Sequence, residues 1–362
     1  MLYSTPDIDP QLESRLRELE EARRELGREV TSASPWMGSL RRSVRASSIE
    51  GSTSIEGFHV PAEEAIRLVS GKEPGAEDDE NRFAVASYAR AMDHVGVMAT
   101  DEHFAWAERV ILDLHFDACY FQRDKSPGQW RKGPILVSEP GGGVAYRAPD
   151  AGEVPALMAE ATQWLAAGDA EQGVIVRAAM AHLHVVSIHP FRDGNGRVSR
   201  IVQSLVLARE GLLSPEFSSI EEYLGQNTAA YYAALKEVQG GSYQPQRDAR
   251  PWVAFCVEAH LVQARQRLRQ VRQAAERWGF LEALVEGRGW PDRLVIALEQ
   301  SLLGGSDRSG YGEEADVSAA TASADFRRLL DAGFVVQHGR GRSTTYRAGE
   351  ELREQVAATI EG

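Results

Sequence analysis

Two stretches of this chain, 172–188 and 197–209, are apolar on nearly every side. A helix that is apolar all round is stable only when buried. The pair therefore predicts two adjacent helices at the centre of a helical domain. Between and into them runs a segment of opposite character, 189–200, reading His-Pro-Phe-Arg-Asp-Gly-Asn-Gly-Arg-Val-Ser-Arg. A charged, glycine-bearing loop held between two core helices fixes where the chemistry of the chain sits.

The residues of that loop suit an anion. Gly194 and Gly196 let the backbone turn tightly and approach a ligand. A buried helix starts directly after them, and the free amides of a helix start, with its dipole behind them, bind phosphate. Arg197 and Arg200 add permanent positive charge in a phosphate-matching fork. Asp193 is a carboxylate suited to Mg²⁺ in a phosphate site. His189 is a base titrating near neutral pH. Phosphoryl or nucleotidyl transfer, which depends on positioning and charge neutralisation, is the chemistry these parts serve.

The segment resembles the signature of the Fic family, His-x-Phe-x-Asp/Glu-Gly-Asn-Gly-Arg-x-x-Arg, at every defined position, and the resemblance extends over about residues 36–250. It implies a mainly α fold with a β-hairpin flap, and a reaction that moves AMP from ATP to a hydroxyl of a target protein, the chain itself included. By that resemblance His189 is the general base, and Asp193 holds Mg²⁺. Gly194, Asn195 and Gly196 cradle phosphate oxygens, and Arg197 and Arg200 meet the β- and γ-phosphates. Phe191 anchors the loop. Arg131, Ile135, Leu136 and Val137 fall in the flap that docks a target segment. Tyr231 and Tyr232 match the tyrosine pair of the adenine-side helix, and Gln239 the polar residue facing the nucleoside. The second glycine of Gly-Asn-Gly favours AMP transfer over phosphorylation.

Many Fic proteins carry an inhibitory helix patterned Ser/Thr-x-x-x-Glu-Gly/Asn. Ser52-Thr53-Ser54-Ile55-Glu56-Gly57 fits it. An earlier copy, Ser48-Ile49-Glu50-Gly51, has Ala46 at the hydroxyl position, so Glu56 is preferred and Glu50 is its rival. A glutamate paired with Arg200 would occupy the arginine a γ-phosphate needs. Alternative functions are AMP removal by the same site and a DNA-binding regulator whose Fic part senses nucleotide.

At 362 residues the chain exceeds one compact domain. The sequence divides into an N-terminal helical region at 1–110, a catalytic core at 111–250, a connecting helix at 251–285 and a terminal module at 286–362. Helix patterns at about 9–30 (capped by Asp9), 82–99, 103–118, 151–166, 219–239 and 249–277 supply the rest of the helical frame. Strand patterns at 134–137 and 144–146 predict the flap hairpin. Beyond 290 the order helix, helix, helix, hairpin (334–337 and 344–347) predicts a winged helix-turn-helix. Its segment 327–347 holds five arginines (327, 328, 340, 342 and 347) against one acid, Asp331. That makes DNA a candidate partner for residues 286–362, although a net charge of −13 disfavours non-specific attraction to nucleic acid elsewhere. Two cysteines, Cys119 and Cys256, share no metal-ligand spacing and are too few for a disulfide framework. There is no membrane-length apolar run and no basic start followed by an apolar run, so the expectation is a cytoplasmic protein without a membrane partner. Helix 9–30 is expected to pack on its own domain, with a homodimer contact as the alternative.

Overall fold

The computed structural model describes residues 1–31, 34–75, 79–139, 142–168, 173–339, 341 and 344–360. The chain divides into two compact units, residues 1–27 with 44–266, and residues 28–43 with 267–362. Helices α1 (Pro10–Val30), α2 (Met37–Ile55) and, near the C-terminal end, Arg250–Glu286 each have residues in both.

The first unit continues with α3 (Ala62–Val69), α4 (Glu80–Thr100), α5 (Glu108–Cys119), and the strands β1 (Leu136–Glu139) and β2 (Gly143–Arg147). Then come α6 (Val154–Ala167), α7 (Gly173–Ile188), α8 (Asn195–Ala208), α9 (Pro215–Ser218), α10 (Glu221–Gln226) and α11 (Thr228–Gln239). The Arg250–Glu286 helix is α12. The two helices expected at the centre are α7 and α8, and they pack on each other more extensively than any other pair. α7 is buried from Ala178 to Ile188 without a break, and every residue of α8 except Gly196 is buried. α4 and α5 cover α8, and α6 covers α7. Burying Ile, Val and Leu side chains at roughly 1.5–3 kcal/mol each is what holds this arrangement together.

Local chemistry sets the ends. Asp9 Oδ1 accepts from the Leu12 amide at 2.8 Å, so α1 starts at Pro10 as its sequence expects. Asp79 caps α4 through the Arg82 amide at 3.1 Å. Two readings need correction. The helix expected at 103–118 starts only at Glu108, because Asp101 turns the chain by accepting from the His103 amide. The single helix expected over 219–239 is broken at Asn227, whose amide nitrogen Nδ2 donates to the Tyr223 carbonyl.

The flap hairpin is antiparallel, pairing Leu136 with Arg147 and Val137 with Tyr146, with a bulge before Ser138. Its tip, Pro140 and Gly141, lies outside the described residues. β2 is fastened to the unit by Arg147, whose amide donates to Gly241 O and whose carbonyl accepts from Tyr243 N.

The second unit holds α13 (Leu294–Leu302), α14 (Arg308–Glu314), α15 (Ala319–Asp331), the hairpin β3 (Val335–His338) and β4 (Thr345–Ala348), and α16 (Glu350–Ile360). The second helix of the expected order, α14, begins inside the breaker-rich stretch 304–312. Asp307 caps the first turn through the Ser309 and Gly310 amides, and the turn closes over buried Tyr311. Helix α16 was not expected at all. Among the described residues no helix is long and apolar enough to cross a membrane.

Candidate active site

The site forms where α7 ends and α8 begins. His189 leaves α7 in the left-handed region, φ +52, a conformation that costs a side-chain-bearing residue energy and so is held by its surroundings. Its amide still donates to Val185 O at 3.0 Å. Its Nδ1 lies 2.9 Å from Val186 O. A carbonyl only accepts, so Nδ1 carries the proton and Nε2 is left as the base nitrogen. Burial pushes the imidazole below its ordinary pKa, against an opposing pull from the Val186 carbonyl. The neutral, proton-accepting form is thereby favoured.

The loop after His189 is locked by its own residues. Asn195 clamps Phe191 twice, accepting from its amide at 2.8 Å and donating to its carbonyl at 2.9 Å. Phe191 is fully buried between Trp130 and His115. Gly194 begins α8 at φ +76, and a side chain there would run into Cys119 Sγ. Asp193 Oδ1 accepts from the Gly194 amide at 2.7 Å, and its other oxygen lies 3.6 Å from Arg197.

Both arginines are buried. Arg200 donates through Nε to Ser52 Oγ at 2.7 Å, and through Nη2 to Ser52 O at 3.1 Å and to Glu56 Oε1 at 2.9 Å. The same Glu56 oxygen lies over the first turn of α8, 2.5 Å from where a Cβ on Gly196 would stand. A carboxylate from α2's C-terminal end thus occupies the positive end of α8. Glu50 is elsewhere, 3.9 Å from His59 Nδ1. Burial works against the Arg200 charge, and Glu56 together with the Tyr231 and Tyr88 side chains more than offsets it, raising the pKa. Arg197 donates to Gln122 Oε1 at 2.9 Å. Arg197 Nε, Arg197 Nη1 and Arg200 Nη1 are buried with no hydrogen-bond partner.

The other expected site residues distribute unevenly. Tyr231 is buried, its hydroxyl 3.1 Å from His182 Nε2, while the adjacent Tyr232 is 48% exposed. Only Tyr232 of the pair offers an open ring face. Gln239 was expected to face a nucleoside. Instead it is buried and donates to Ser187 Oγ at 3.0 Å, bracing the end of α7. Arg131 was expected among target-docking residues. It is a buried strut, donating to His189 O at 2.8 Å, Gly133 O at 2.9 Å and Pro149 O at 2.6 Å. Of the flap residues Leu136 is 49% exposed, and Ile135 and Val137 are half-buried. Arg327 and Arg328 are exposed on α15, Arg347 is half-buried on β4, and Arg340 and Arg342 lie outside the described residues.

Sequence reasoning missed His115. Its Nδ1 accepts from the Gly128 amide at 2.8 Å, so Nε2 carries the proton and donates to Asp193 O at 3.0 Å. Its ring stacks on Phe191 at 3.6 Å, and burial lowers its pKa to about 4. It ties the base of the flap to the anion loop as a neutral linker. Seventy-odd residues separate it from the loop, so no local motif marks it.

Among the described residues no group of three His, Cys, Asp or Glu side chains forms a metal cage. One carboxylate, Asp193, belongs to the anion loop, with Oδ1 on the Gly194 amide and Oδ2 3.6 Å from Arg197. That fits a cation such as Mg²⁺, which takes one or two carboxylates and completes its shell from phosphate and water.

Residues 105–207 match the Fic/DOC family. The chain is 28% identical over 172 residues to the protein adenylyltransferase Fic of Culex quinquefasciatus, covering 46% of this chain and 30% of that protein. It is 32% identical over 155 residues to the protein of the same name from Drosophila grimshawi, covering 41% and 27%. The chain therefore spans under a third of the length of these relatives. In fold it is similar to a Fic family protein of Desulfovibrio desulfuricans G20, with a TM-score of 0.61, 21% identity, and 96% and 99% of the two chains covered. Residues 134–508 of Fic-1 from C. elegans give a TM-score of 0.56 at 21% identity, with 72% and 73% covered.

Proposed function

We infer that this chain, which carries a Fic domain over residues 105–207, is a protein adenylyltransferase held off by its own Glu56. The observation that carries this reading is the set of three unpartnered guanidinium nitrogens, on Arg197 and Arg200, buried around the first turn of α8. Buried donors without acceptors cost about 1–3 kcal/mol each and call for a ligand. On two guanidinium groups, an anionic, multidentate ligand such as a polyphosphate suits these donors best.

In the active arrangement the backbone of Gly194, Asn195 and Gly196 takes phosphate oxygens of ATP, and Arg197 and Arg200 neutralise the β and γ groups. His189 Nε2 takes the proton of the target hydroxyl. That oxygen forms the new bond to the α-phosphorus, the bond to the β-phosphate bridging oxygen breaks, and diphosphate leaves. Asp193 would hold Mg²⁺, which supplies charge neutralisation when bound. The exposed ring of Tyr232 supplies a stacking face for the base, and the Leu136 side of β1 supplies the edge for the target segment.

Glu56 blocks this by filling the place of a phosphate. Its carboxylate sits on Arg200 and over Gly196, so a γ-phosphate must displace a charge-assisted bond of about 1.5–3 kcal/mol. Transfer of label from α-labelled ATP with Mg²⁺ tests the proposal. Label is expected on Glu56→Gly at about tenfold or more over the parent chain, and none on Glu56→Gly with His189→Ala. A folded Glu56→Gly protein that takes no label overturns it. Of the other partners expected from sequence, DNA has only the exposure of Arg327 and Arg328 in its favour, and a homodimer gains nothing from a single chain. Neither enters the proposal.

A further inference from the structure

The segment that carries Glu56 also touches the other arginine. Two residues beyond Glu56, Phe58 meets Phe121 edge to face, with centroids 5.6 Å apart at 85°. The Arg197 guanidinium sits in the corner between these rings, its carbon 5.5 Å from the Phe58 centroid and 5.6 Å from that of Phe121. Phe121 follows α5, and the next residue, Gln122, accepts from Arg197 Nη2 at 2.9 Å. Two ring contacts, one hydrogen bond and the Asp193 carboxylate 3.6 Å from Nη2 fix the guanidinium, while Nε and Nη1 stay buried and unpartnered. A guanidinium within about 6 Å of an aromatic face is held electrostatically while its in-plane donors stay available. The clamp therefore orients Arg197 without occupying the two nitrogens a phosphate would use. Contrast Arg200, whose Nε and Nη2 are taken by Ser52 and Glu56. The one segment treats the two arginines oppositely.

We propose that Phe58 is a positioning residue for the nucleotide: the segment that denies Arg200 to phosphate through Glu56 holds Arg197 ready for it through Phe58. The proposal rests on the adenylyltransferase reading for its function but not for its measurement, which is binding. When the brake lifts, this segment cannot simply leave. Glu56 must release Arg200 while Phe58 stays on Arg197. Phe58 is thus a support and not a second brake, and the two roles predict opposite results.

The test uses the full chain and ATP with Mg²⁺ as probe, with dissociation constants measured by calorimetry in the Glu56→Gly background. Phe58→Leu keeps apolar bulk and removes the aromatic face, and is expected to weaken ATP binding about fivefold. Phe58→Tyr keeps the face and is expected to bind within about twofold of Glu56→Gly. In an Arg197→Ala background the Phe58→Leu change is expected to add nothing, because the coupling partner is gone. With Glu56 intact, Phe58→Leu is expected not to raise label uptake above the parental level. Equal affinity of the Leu and Tyr variants overturns the proposal. So does an additive loss in Arg197→Ala, and so does a rise in labelling when Phe58→Leu is made alone, which would make Phe58 part of the brake. Absence of label on Glu56→Gly counts against the transferase reading alone, since the binding comparison stands without turnover.

Discussion

At the scale of single residues, the protonation state of His189, the proposed base, would set when the site can work. Its Nδ1 proton is committed to Val186 O, and burial lowers its pKa below the ordinary value near 6.5. A base must be unprotonated, so activity falls only as pH drops through the lowered pKa. The acid limb of kcat/KM for Glu56→Gly is therefore expected below about pH 6.5. A limb at or above that value in a rate series from pH 5 to 8 would show that another group sets the protonation. The course of this loop was legible in the sequence because the contacts that shape its turn are local: Asn195 holds Phe191, and Asp193 holds Gly194. His115, Gln122 and Phe121 were not, because each reaches the loop from another helix or the turn after it. The structural bonds of Gln239 and Arg131 were not legible either. Polar residues near a motif read as ligand contacts, and these two also brace Ser187, His189 O and Pro149 O.

At the scale of elements, the reach of Glu56 depends on how closely α2 lies on α10. Gly51 and Gly225 make the crossing. A Cβ on Gly51 would stand 2.6 Å from Glu221 O and 2.7 Å from Glu222 Cα, and one on Gly225 would stand 2.5 Å from Gly51 O. These are backbone atoms that cannot rotate away. The earlier Ser-Ile-Glu-Gly copy thus has a use apart from its glutamate: its glycine seats the helix whose end bears Glu56. Glycine to alanine within a helix ordinarily stabilises by about 0.5–1 kcal/mol. Gly96→Ala on α4, where an added Cβ meets nothing within 4 Å, is expected to behave so. Gly51→Ala is expected to do the reverse, lowering stability by about 1–3 kcal/mol and raising self-labelling above the parent, as α2 lifts and Glu56 leaves Arg200. Thermal melts and α-label uptake measured together check this, and an unlabelled, stabilised Gly51→Ala would refute the crossing as the seat of the brake. Helix periods were legible because apolar spacing reports one face. The crossing was not, since it needs two glycines 174 residues apart to meet. Nor were the bounds of α14, where capping by Asp307 and burial of Tyr311 override three helix-weakening residues.

At the scale of the molecule, each of the two units holds a buried polar keystone. In the first it is the Arg200 cluster. In the second it is Asp325, buried on α15, which accepts from Arg293 Nε at 2.7 Å, Arg293 Nη2 at 3.0 Å and the Tyr311 hydroxyl at 2.8 Å. Next to it Phe326 stacks on Tyr346 of β4 at 4.0 Å, so the carboxylate fixes α13 and α14 to the helix that carries the hairpin. Removing one member of such a pair leaves donors without an acceptor, at a cost of about 3 kcal/mol, the lower end being apt because Arg293 is partly solvated. Asp325→Ala is thus expected to destabilise the second unit while α7, α8 and the site stay folded. Hydrogen exchange distinguishes the cases: amides of α13–α15 should exchange on the order of 100-fold faster, those of α7 and α8 at unchanged rates, and Glu56→Gly labelling should survive the added substitution. Loss of protection in α7 and α8 as well would mean that the three helices running through the division make the chain one cooperative body, and that the chemistry of the first unit depends on the integrity of the second.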